Sequence, residues 1–134
     1  MKRLTVITAI AISSILSFST TCAIAKSSAS PINRIDTDND GTADLNEVKG
    51  SAGALFSNLE KDADGTLDPK ELKGRVSRTD MKSVDPDSDG TVSKDELMSY
   101  VESLFKDVDT DNDGTIDAKE LTSRKGKALL RVTQ

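Results

Sequence analysis

Most of the carboxylates in this 134-residue chain are gathered into four windows of twelve residues. The windows hold 20 of the 23 Asp and Glu side chains and span residues 36–47, 60–71, 85–96 and 109–120, which we call loops 1 to 4. Their starts are 24, 25 and 24 residues apart, so the chain contains an internal repeat. Like charges packed this densely repel unless a cation neutralises them. Because carboxylate oxygens are ligands of hard cations, the windows predict metal sites.

Each window has the residue order of an EF-hand calcium loop. The pattern needs carboxylates at positions 1, 3 and 5, Gly at position 6 for the sharp turn, and a two-oxygen Glu at position 12. Position 7 offers a backbone carbonyl, and position 9 coordinates directly or through water. Loops 1, 3 and 4 match in full, whereas loop 2 has Glu60 in place of Asp at position 1. The longer side chain of Glu60 predicts that loop 2 is the weakest site.

The predicted ligands are the residues at positions 1, 3, 5, 7, 9 and 12 of every loop. They are Asp36, Asp38, Asp40, Thr42, Asp44 and Glu47 in loop 1; Glu60, Asp62, Asp64, Thr66, Asp68 and Glu71 in loop 2; Asp85, Asp87, Asp89, Thr91, Ser93 and Glu96 in loop 3; and Asp109, Asp111, Asp113, Thr115, Asp117 and Glu120 in loop 4. We predict up to four sites for cations of calcium-like size, and no catalytic or organic-cofactor site.

The segments between the loops are too short for two helices and a linker. Only 12 or 13 residues separate consecutive loops, so neighbouring loops should share one helix. Apolar residues recur at helical spacing after loops 1 and 3 and predict two core-facing helices, with an exposed target groove as the alternative. The first stripe contains Leu45, Val48, Ala52, Leu55, Phe56 and Leu59, and the second contains Leu97, Val101, Leu104, Phe105 and Val108.

The segment between loops 2 and 3 is predicted to bend. Gly74 weakens a helix there, and residues 77–80 are typical of a break followed by a new helix cap. A bend would bring loop 2 against loop 3 and loop 1 against loop 4. The residues at loop position 8 would then form short antiparallel bridges, Leu67 with Val92 and Ala43 with Ile116.

After loop 4, apolar residues between Leu121 and Val132 predict a last helix that is interrupted near Gly126. Four basic side chains accompany it, and they suit a helix end that faces acidic loops. They are Arg124, Lys125, Lys127 and Arg131. Docking of a partner is the alternative role for this basic stretch.

The N-terminus has the pattern of a secretory signal peptide. A basic start is followed by an apolar stretch, residues 4–18, and by Ala23-Ile24-Ala25, a small-x-small cleavage sequence. We predict a signal peptide over residues 1–25, a mobile tail over 26–33, an EF-hand domain over 34–134, and export to the periplasm or secretion. An uncleaved anchor and lipidation at Cys22 are the weaker alternatives.

Composition narrows the function classes. Residues 26–134 contain neither Cys nor His, which excludes a disulfide scaffold and a thiolate metal site. They carry 16 basic and 23 acidic side chains, and this net charge of −7 argues against nucleic acid as a partner. Leu, Ile, Val and Phe make up only 22 of these 109 residues, close to the boundary for intrinsic disorder. We therefore expect the chain to need bound metal to fold.

An exported chain with four such loops at this spacing resembles the lanmodulin family of periplasmic lanthanide-binding proteins. The runs from Glu71 to Thr91 and from Asn112 to Leu121 are similar to the corresponding stretches of that family. The resemblance implies an all-α fold, a compact helical bundle with four EF-hand loops joined by shared short helices, loops paired 2 with 3 and 1 with 4. It also implies a preference for lanthanide(III) ions and ordering of the chain by the metal.

The sequence leaves several functions open. The first is a lanthanide-binding protein for uptake, trafficking or buffering, and the second is a calcium buffer or sensor of the cell envelope. A calcium-dependent interaction module of the dockerin kind is disfavoured by four loops rather than two and by Glu at every position 12. An enzyme is disfavoured because the carboxylates are committed to metal. We expect metal ions as partners, no stable membrane insertion after signal cleavage, an unknown protein partner, and a monomer or metal-dependent dimer.

Overall fold

The structure is a computed structural model that describes residues 30–134. The predicted signal peptide and residues 26–29 of the predicted tail lie outside this range. Among the described residues, no helix has both the length and the apolar character needed to cross a membrane. About half of the described chain is helical, and the only strands in this part are two-residue pairs.

Two helices of 15 residues form the centre of the fold: α1, Leu45–Leu59, and α4, Lys94–Val108. Each begins with a capping box, in which the side chain of one residue and the Glu three positions later bond to each other's backbone N–H groups. The pairs are Asp44 with Glu47 and Ser93 with Glu96. Positions 9 and 12 of loops 1 and 3 therefore also start the helices. The far ends of the helices run into loops 2 and 4, so each long helix serves two loops.

Between the long helices the chain reverses through two short helices, α2 (Pro69–Leu72) and α3 (Met81–Val84). Lys73 and Gly74 end α2 with left-handed backbone, φ 48° and 74°. Within residues 77–80 the Ser77 hydroxyl oxygen accepts the Asp80 N–H at 3.2 Å, whereas the Asp80 side chain makes no capping hydrogen bond. Its Oδ2 instead accepts from the Ser77 hydroxyl at 2.6 Å, which closes the turn from within.

Four two-residue strands join the loops in pairs. β1 (Ala43–Asp44) lies antiparallel to β4 (Thr115–Ile116), and β2 (Thr66–Leu67) lies antiparallel to β3 (Val92–Ser93). The facing residues at loop position 8 are Ala43 with Ile116 and Leu67 with Val92. These are the residue pairs named from the sequence, and all four side chains are buried.

The core lies between α1 and α4. The four apolar residues of α1 that are fully enclosed are Val48, Ala52, Phe56 and Leu59, while Leu45 and Leu55 pack at its margin. All five residues of the α4 stripe are buried. Tyr100, which was not part of the predicted stripe, is also buried on α4, and burial raises the pKa of its phenol to about 12.

Two ion pairs at Glu102 lie outside this core. The Glu102 carboxylate binds Lys49 of α1 at 2.9 Å and Lys106 at 3.1 Å.

The C-terminal helix, α5 (Arg124–Arg131), is continuous through Gly126, so the predicted interruption is wrong. It follows a 3-10 helix, Glu120–Thr122, and is capped by the Ser123 hydroxyl, which accepts from the Gly126 N–H at 2.9 Å. Gly126 is a point of close approach: a Cβ there would lie 2.5 Å from the Cα of Leu121. Glycine thus permits packing of α5 on the preceding turn.

The described part of the predicted tail is folded. Pro31–Arg34 form a 3-10 helix, and Ile32 within it is buried. The side-chain amide of Gln134 donates to the Pro31 carbonyl at 2.9 Å, so the two ends of the described chain meet. Ile32 therefore forms part of the hydrophobic core.

Candidate metal centre

The first residue of every loop is held by the glycine at position 6. The Gly41, Gly90 and Gly114 N–H groups donate to the position-1 aspartates at 3.0, 3.1 and 3.1 Å. In loop 2, the Gly65 N–H donates to Glu60 Oε1 at 2.8 Å, so the longer side chain reaches the same donor. The three aspartates are buried, whereas Glu60 is half-buried.

Position 5 is oriented by the threonine at position 7. In each loop one carboxylate oxygen accepts both the N–H and the hydroxyl of that threonine, at 2.7–2.9 Å. The pairs are Asp40 with Thr42, Asp64 with Thr66, Asp89 with Thr91, and Asp113 with Thr115. The sequence pattern assigned only a backbone carbonyl to the threonine. Its hydroxyl has a second, positioning role that repeats in all four loops and that the recurrence of Thr at position 7 signalled.

Position 12 ties the two ends of a loop together. In loops 1, 2 and 4 the Oε1 atom of the glutamate accepts the N–H of position 2 at 2.7–2.8 Å. The Oε2 atom accepts the N–H of position 9 at 3.0–3.2 Å. Loop 3 differs, because position 2 is Pro86, which has no N–H. Both donors to Glu96 then come from Ser93, whose N–H and hydroxyl reach Oε2 at 2.8 Å.

Position 9 begins a helical segment in loops 1, 2 and 3, where Asp44, Asp68 and Ser93 accept from the N–H of position 12. Asp117 does the same for Glu120, at 2.8 Å. None of these four residues joins the acidic groups described next. Their capping role suits a position that contacts a cation through water rather than directly.

Each loop brings three acidic ligand atoms within 4.8 Å of one another. The groups are Asp36, Asp38 and Asp40; Glu60, Asp62 and Asp64; Asp85, Asp87 and Glu96; and Asp109, Asp111 and Glu120. The structure thus gathers twelve of the 24 predicted ligand residues into compact groups. Oxygen atoms at this spacing form a hard, anionic cage that suits a cation of the Ca²⁺ type.

The crowding is visible in the acid–base properties of the loops. At Asp87 a hydrogen bond from the Asp89 N–H lowers the pKa, but desolvation and the neighbouring carboxylates outweigh it, so the pKa is raised. The pKa of Asp38 in loop 1 is raised for the same reasons. Conversely, the threonine at position 7 donates twice to Asp89 and to Asp113 and lowers the pKa of both. In loops 1 and 3, position 3 therefore carries an unfavourable negative charge, which a cation would relieve.

Two buried carboxylate oxygens indicate that the loops fit a cation. Asp85 Oδ1 and Asp109 Oδ1 are enclosed and have no hydrogen-bond partner among the described residues. In loop 1 the equivalent atom of Asp36 accepts from the Asn39 N–H at 2.6 Å. A buried carboxylate oxygen without a partner is costly and calls for an ion or water. Loops 3 and 4 therefore fit a metal ion at position 1.

The EF-hand family model matches residues 80–101 and 101–123, which span α3, loop 3, α4 and loop 4. These matches support the EF-hand superfamily for this chain. Together with the acidic groups, they indicate binding of metal ions of the Ca²⁺ type. The comparison with curated proteins gives no match.

Proposed function

We propose that the chain is an exported binding protein, not an enzyme, that holds lanthanide(III) ions in four EF-hand loops and orders around them. Its role would be uptake, trafficking or buffering of these ions. The observation that carries the proposal is the pair of buried oxygens of Asp85 and Asp109 that have no hydrogen-bond partner within residues 30–134, each inside a group of acids. A cation is the natural partner of such atoms.

Charge supports a trivalent ion over a divalent one. Loops 1 and 4 each have carboxylates at positions 1, 3, 5, 9 and 12, and loop 3 has them at all but position 9. Coulomb energy scales with ionic charge, so five carboxylates attract a trivalent ion more strongly and leave less residual repulsion around it. Ions of similar size and hardness tolerate similar oxygen cages, which leaves ionic charge as the main discriminator.

A calcium buffer or sensor is the second candidate. It is favoured by the EF-hand matches, because the same oxygen cage serves Ca²⁺. The deciding experiment is a titration of the metal-free protein with La³⁺ in a large excess of Ca²⁺, followed by far-UV circular dichroism. We expect about micromolar La³⁺ to order the chain when about millimolar Ca²⁺ does not. Equal ordering by the two ions at these concentrations would make the calcium buffer the better account.

Selectivity should depend on the position-9 carboxylates. We expect the double variant Asp44→Ser, Asp117→Ser to narrow the difference between La³⁺ affinity and Ca²⁺ affinity. This narrowing should exceed the loss of Ca²⁺ affinity itself, because each change removes one charge near the ion. Serine preserves the helix start, since Ser93 already caps α4 at this position. Asp95→Ser is the control for each single substitution, because it also removes one carboxylate, within loop 3 but not at a ligand position. An equal effect from the control would show that only total charge matters.

Export is proposed from the signal-peptide pattern of residues 1–25. The test is the N-terminal sequence of the protein recovered from the periplasmic or secreted fraction of its host. A start at Lys26 supports export, whereas recovery from the cytoplasm with Met1 intact contradicts it.

A further inference from the structure

The closing glutamate of loop 3 is held differently from the other three. In loops 1, 2 and 4 both of its carboxylate oxygens accept backbone N–H donors, one from position 2 and one from position 9. In loops 1 and 4, the hydroxyls of Thr37 and Thr110 add a further donor to Oε1 at 2.8 and 2.9 Å. These oxygens already share their negative charge with donors before a cation arrives.

Pro86 removes the position-2 donor to the closing glutamate of loop 3. A proline has neither an N–H nor a hydroxyl, and Glu96 Oε1 accepts no hydrogen bond from any described residue. Glu96 is nevertheless kept near the site, because Ser93 holds its other oxygen and because it belongs to the acidic group with Asp85 and Asp87. Loop 3 thus has a positioned glutamate with one oxygen fully available.

The opposite end of loop 3 shows the same availability. Asp85 Oδ1 is buried and has no partner in the described part of the chain, as is Asp109 Oδ1 in loop 4, whereas Asp36 Oδ1 accepts the Asn39 N–H. Counting position-1 oxygens and Glu Oε1 atoms together, and donors among residues 30–134 only, loop 3 has two oxygens without a donor, loops 2 and 4 have one each, and loop 1 has none. A carboxylate oxygen that accepts no protein N–H shares its charge with no competing donor, so it attracts a cation more strongly, and Asp85 Oδ1 is in addition closed to water.

The number of carboxylates alone would predict a different order of metal binding by the loops. Loop 3 has Ser93 where loops 1 and 4 have an aspartate, so charge would place it behind them. However, Asp44 and Asp117 each use Oδ1 to cap the following segment, accepting an N–H at 2.8 Å. Their charge is therefore partly engaged, and the two unengaged oxygens of loop 3 outweigh it.

We propose that loop 3 is the first loop to bind metal and that Pro86 sets this order by leaving Glu96 Oε1 without a donor. The inference rests on the proposed function only in requiring that the loops bind cations, and it holds for either La³⁺ or Ca²⁺. Pro86 is a positioning residue that acts through Glu96 rather than a ligand. Binding at loop 3 would then support loop 2, because β3 carries Ser93 and pairs with β2.

The test is a titration of the full chain with sub-stoichiometric La³⁺, followed by amide NMR. The reporters are the four position-6 glycines, whose N–H groups donate to the position-1 carboxylates. We expect the Gly90 resonance to convert first. Conversion of Gly41 or Gly114 together with or ahead of Gly90 would overturn the proposal.

Variants at position 2 assign the cause. Pro86→Ala restores an N–H and Pro86→Thr restores an N–H and a hydroxyl, so both should lower loop 3 affinity by about tenfold or more, the worth of one charged hydrogen bond. Gly90 should then lose its lead to Gly114. Thr110→Pro should have the opposite effect and advance Gly114. An unchanged order in all three variants would overturn the role of Pro86.

Controls separate this inference from the proposed function. Pro31→Ala also removes a proline but lies outside every loop, so it should leave the order unchanged. If it shifts the order as Pro86→Ala does, chain stiffness rather than the N–H is responsible and the inference fails. If La³⁺ moves none of the four glycines and Ca²⁺ moves them in the order Gly90 first, the lanthanide function fails while the inference stands.

Discussion

The residue at position 4 of each loop adopts left-handed backbone. The φ values are 62° at Asn39, 61° at Ala63, 58° at Ser88 and 59° at Asn112. Asn and other short polar residues tolerate this region, whereas an alanine there costs roughly 1–2 kcal/mol relative to right-handed backbone. Loop 2 is therefore strained at Ala63 as well as irregular at Glu60.

Replacing this alanine should improve loop 2. We expect Ala63→Asn to tighten metal binding at that loop by up to about fivefold, because it relieves up to about 1 kcal/mol of backbone strain. The measurement is the loop 2 affinity reported by the Gly65 amide. Asn39→Ala in loop 1 is the reverse control and should weaken its own site. If both substitutions leave affinity unchanged, backbone strain at position 4 does not limit binding.

The closing glutamates should dominate the affinity of their loops. Glu120→Gln removes a charge and a two-oxygen ligand, and should weaken loop 4 on the order of a hundredfold. Glu60→Gln should cost loop 2 on the order of tenfold, because Glu60 is half-buried at an already weaker site. Isothermal titration with amide NMR resolves the sites. Glu102→Gln, which lies outside the loops, is the control, and loop 2 filling first would contradict the ranking.

At the scale of elements, helices and loops share residues. Positions 9 and 12 hold the metal loop closed and also form the capping boxes of α1 and α4. The far ends of these helices are capped at Glu60 and Asp109, which are position 1 of the next loops. Each long helix therefore joins the closing residues of one loop to the first residue of the next.

The contact between α5 and the preceding turn gives a prediction for two glycines. Gly126→Ala should destabilise the metal-loaded protein by about 1–3 kcal/mol, since the new Cβ would meet backbone atoms of Leu121 and overpack the contact. Gly50→Ala is the matched control on α1, where nothing lies within 4 Å of the added Cβ. It should stabilise the helix by roughly 0.5–1 kcal/mol. Urea unfolding measures both, and equal effects would contradict the close packing of α5.

At the scale of the whole molecule, repulsion between the loop carboxylates opposes the burial of apolar side chains in the core. Twenty carboxylates lie in the four loops, which the strand pairs bring together two by two. The core that must offset this repulsion combines the apolar faces of α1 and α4 with buried residues in or next to the loops and in α5, such as Ile35, Leu67, Ile116 and Leu129. Because the loops also start and end the long helices, neutralising their charge should stabilise those helices.

We therefore expect the metal-free protein to lose helix. In chelator, the far-UV circular dichroism at 222 nm should weaken markedly, and one equivalent of La³⁺ per loop should restore it. Added KCl is the control for general screening and should restore only part of the signal. Full helicity with a cooperative melt in chelator would contradict metal-dependent folding.

Much of the architecture could be predicted from the residues, for physical reasons that are local. Gly at position 6 and carboxylates at positions 1, 3 and 5 specify a loop whatever surrounds it, and apolar spacing specifies which faces of α1 and α4 are buried. The prediction failed where a distant contact decides. Gly126 predicts an interrupted helix, because the sequence does not show that Leu121 lies against it. Burial of Ile32 is likewise a tertiary contact that the sequence does not show.

The sequence by itself predicted four acidic loops, their ligand chemistry and the helices that neighbouring loops share, because these follow from residue types at short, regular spacing. It also named the strand partners Leu67 with Val92 and Ala43 with Ile116. Only the tertiary structure decided how the carboxylate oxygens are engaged. Which of them accept donors, and which, like Asp85 Oδ1 and Glu96 Oε1, have none, depends on burial and on backbone N–H directions. Packing of the whole domain sets this burial and these N–H directions, so four loops of similar sequence differ in how many of their carboxylate oxygens accept hydrogen bonds.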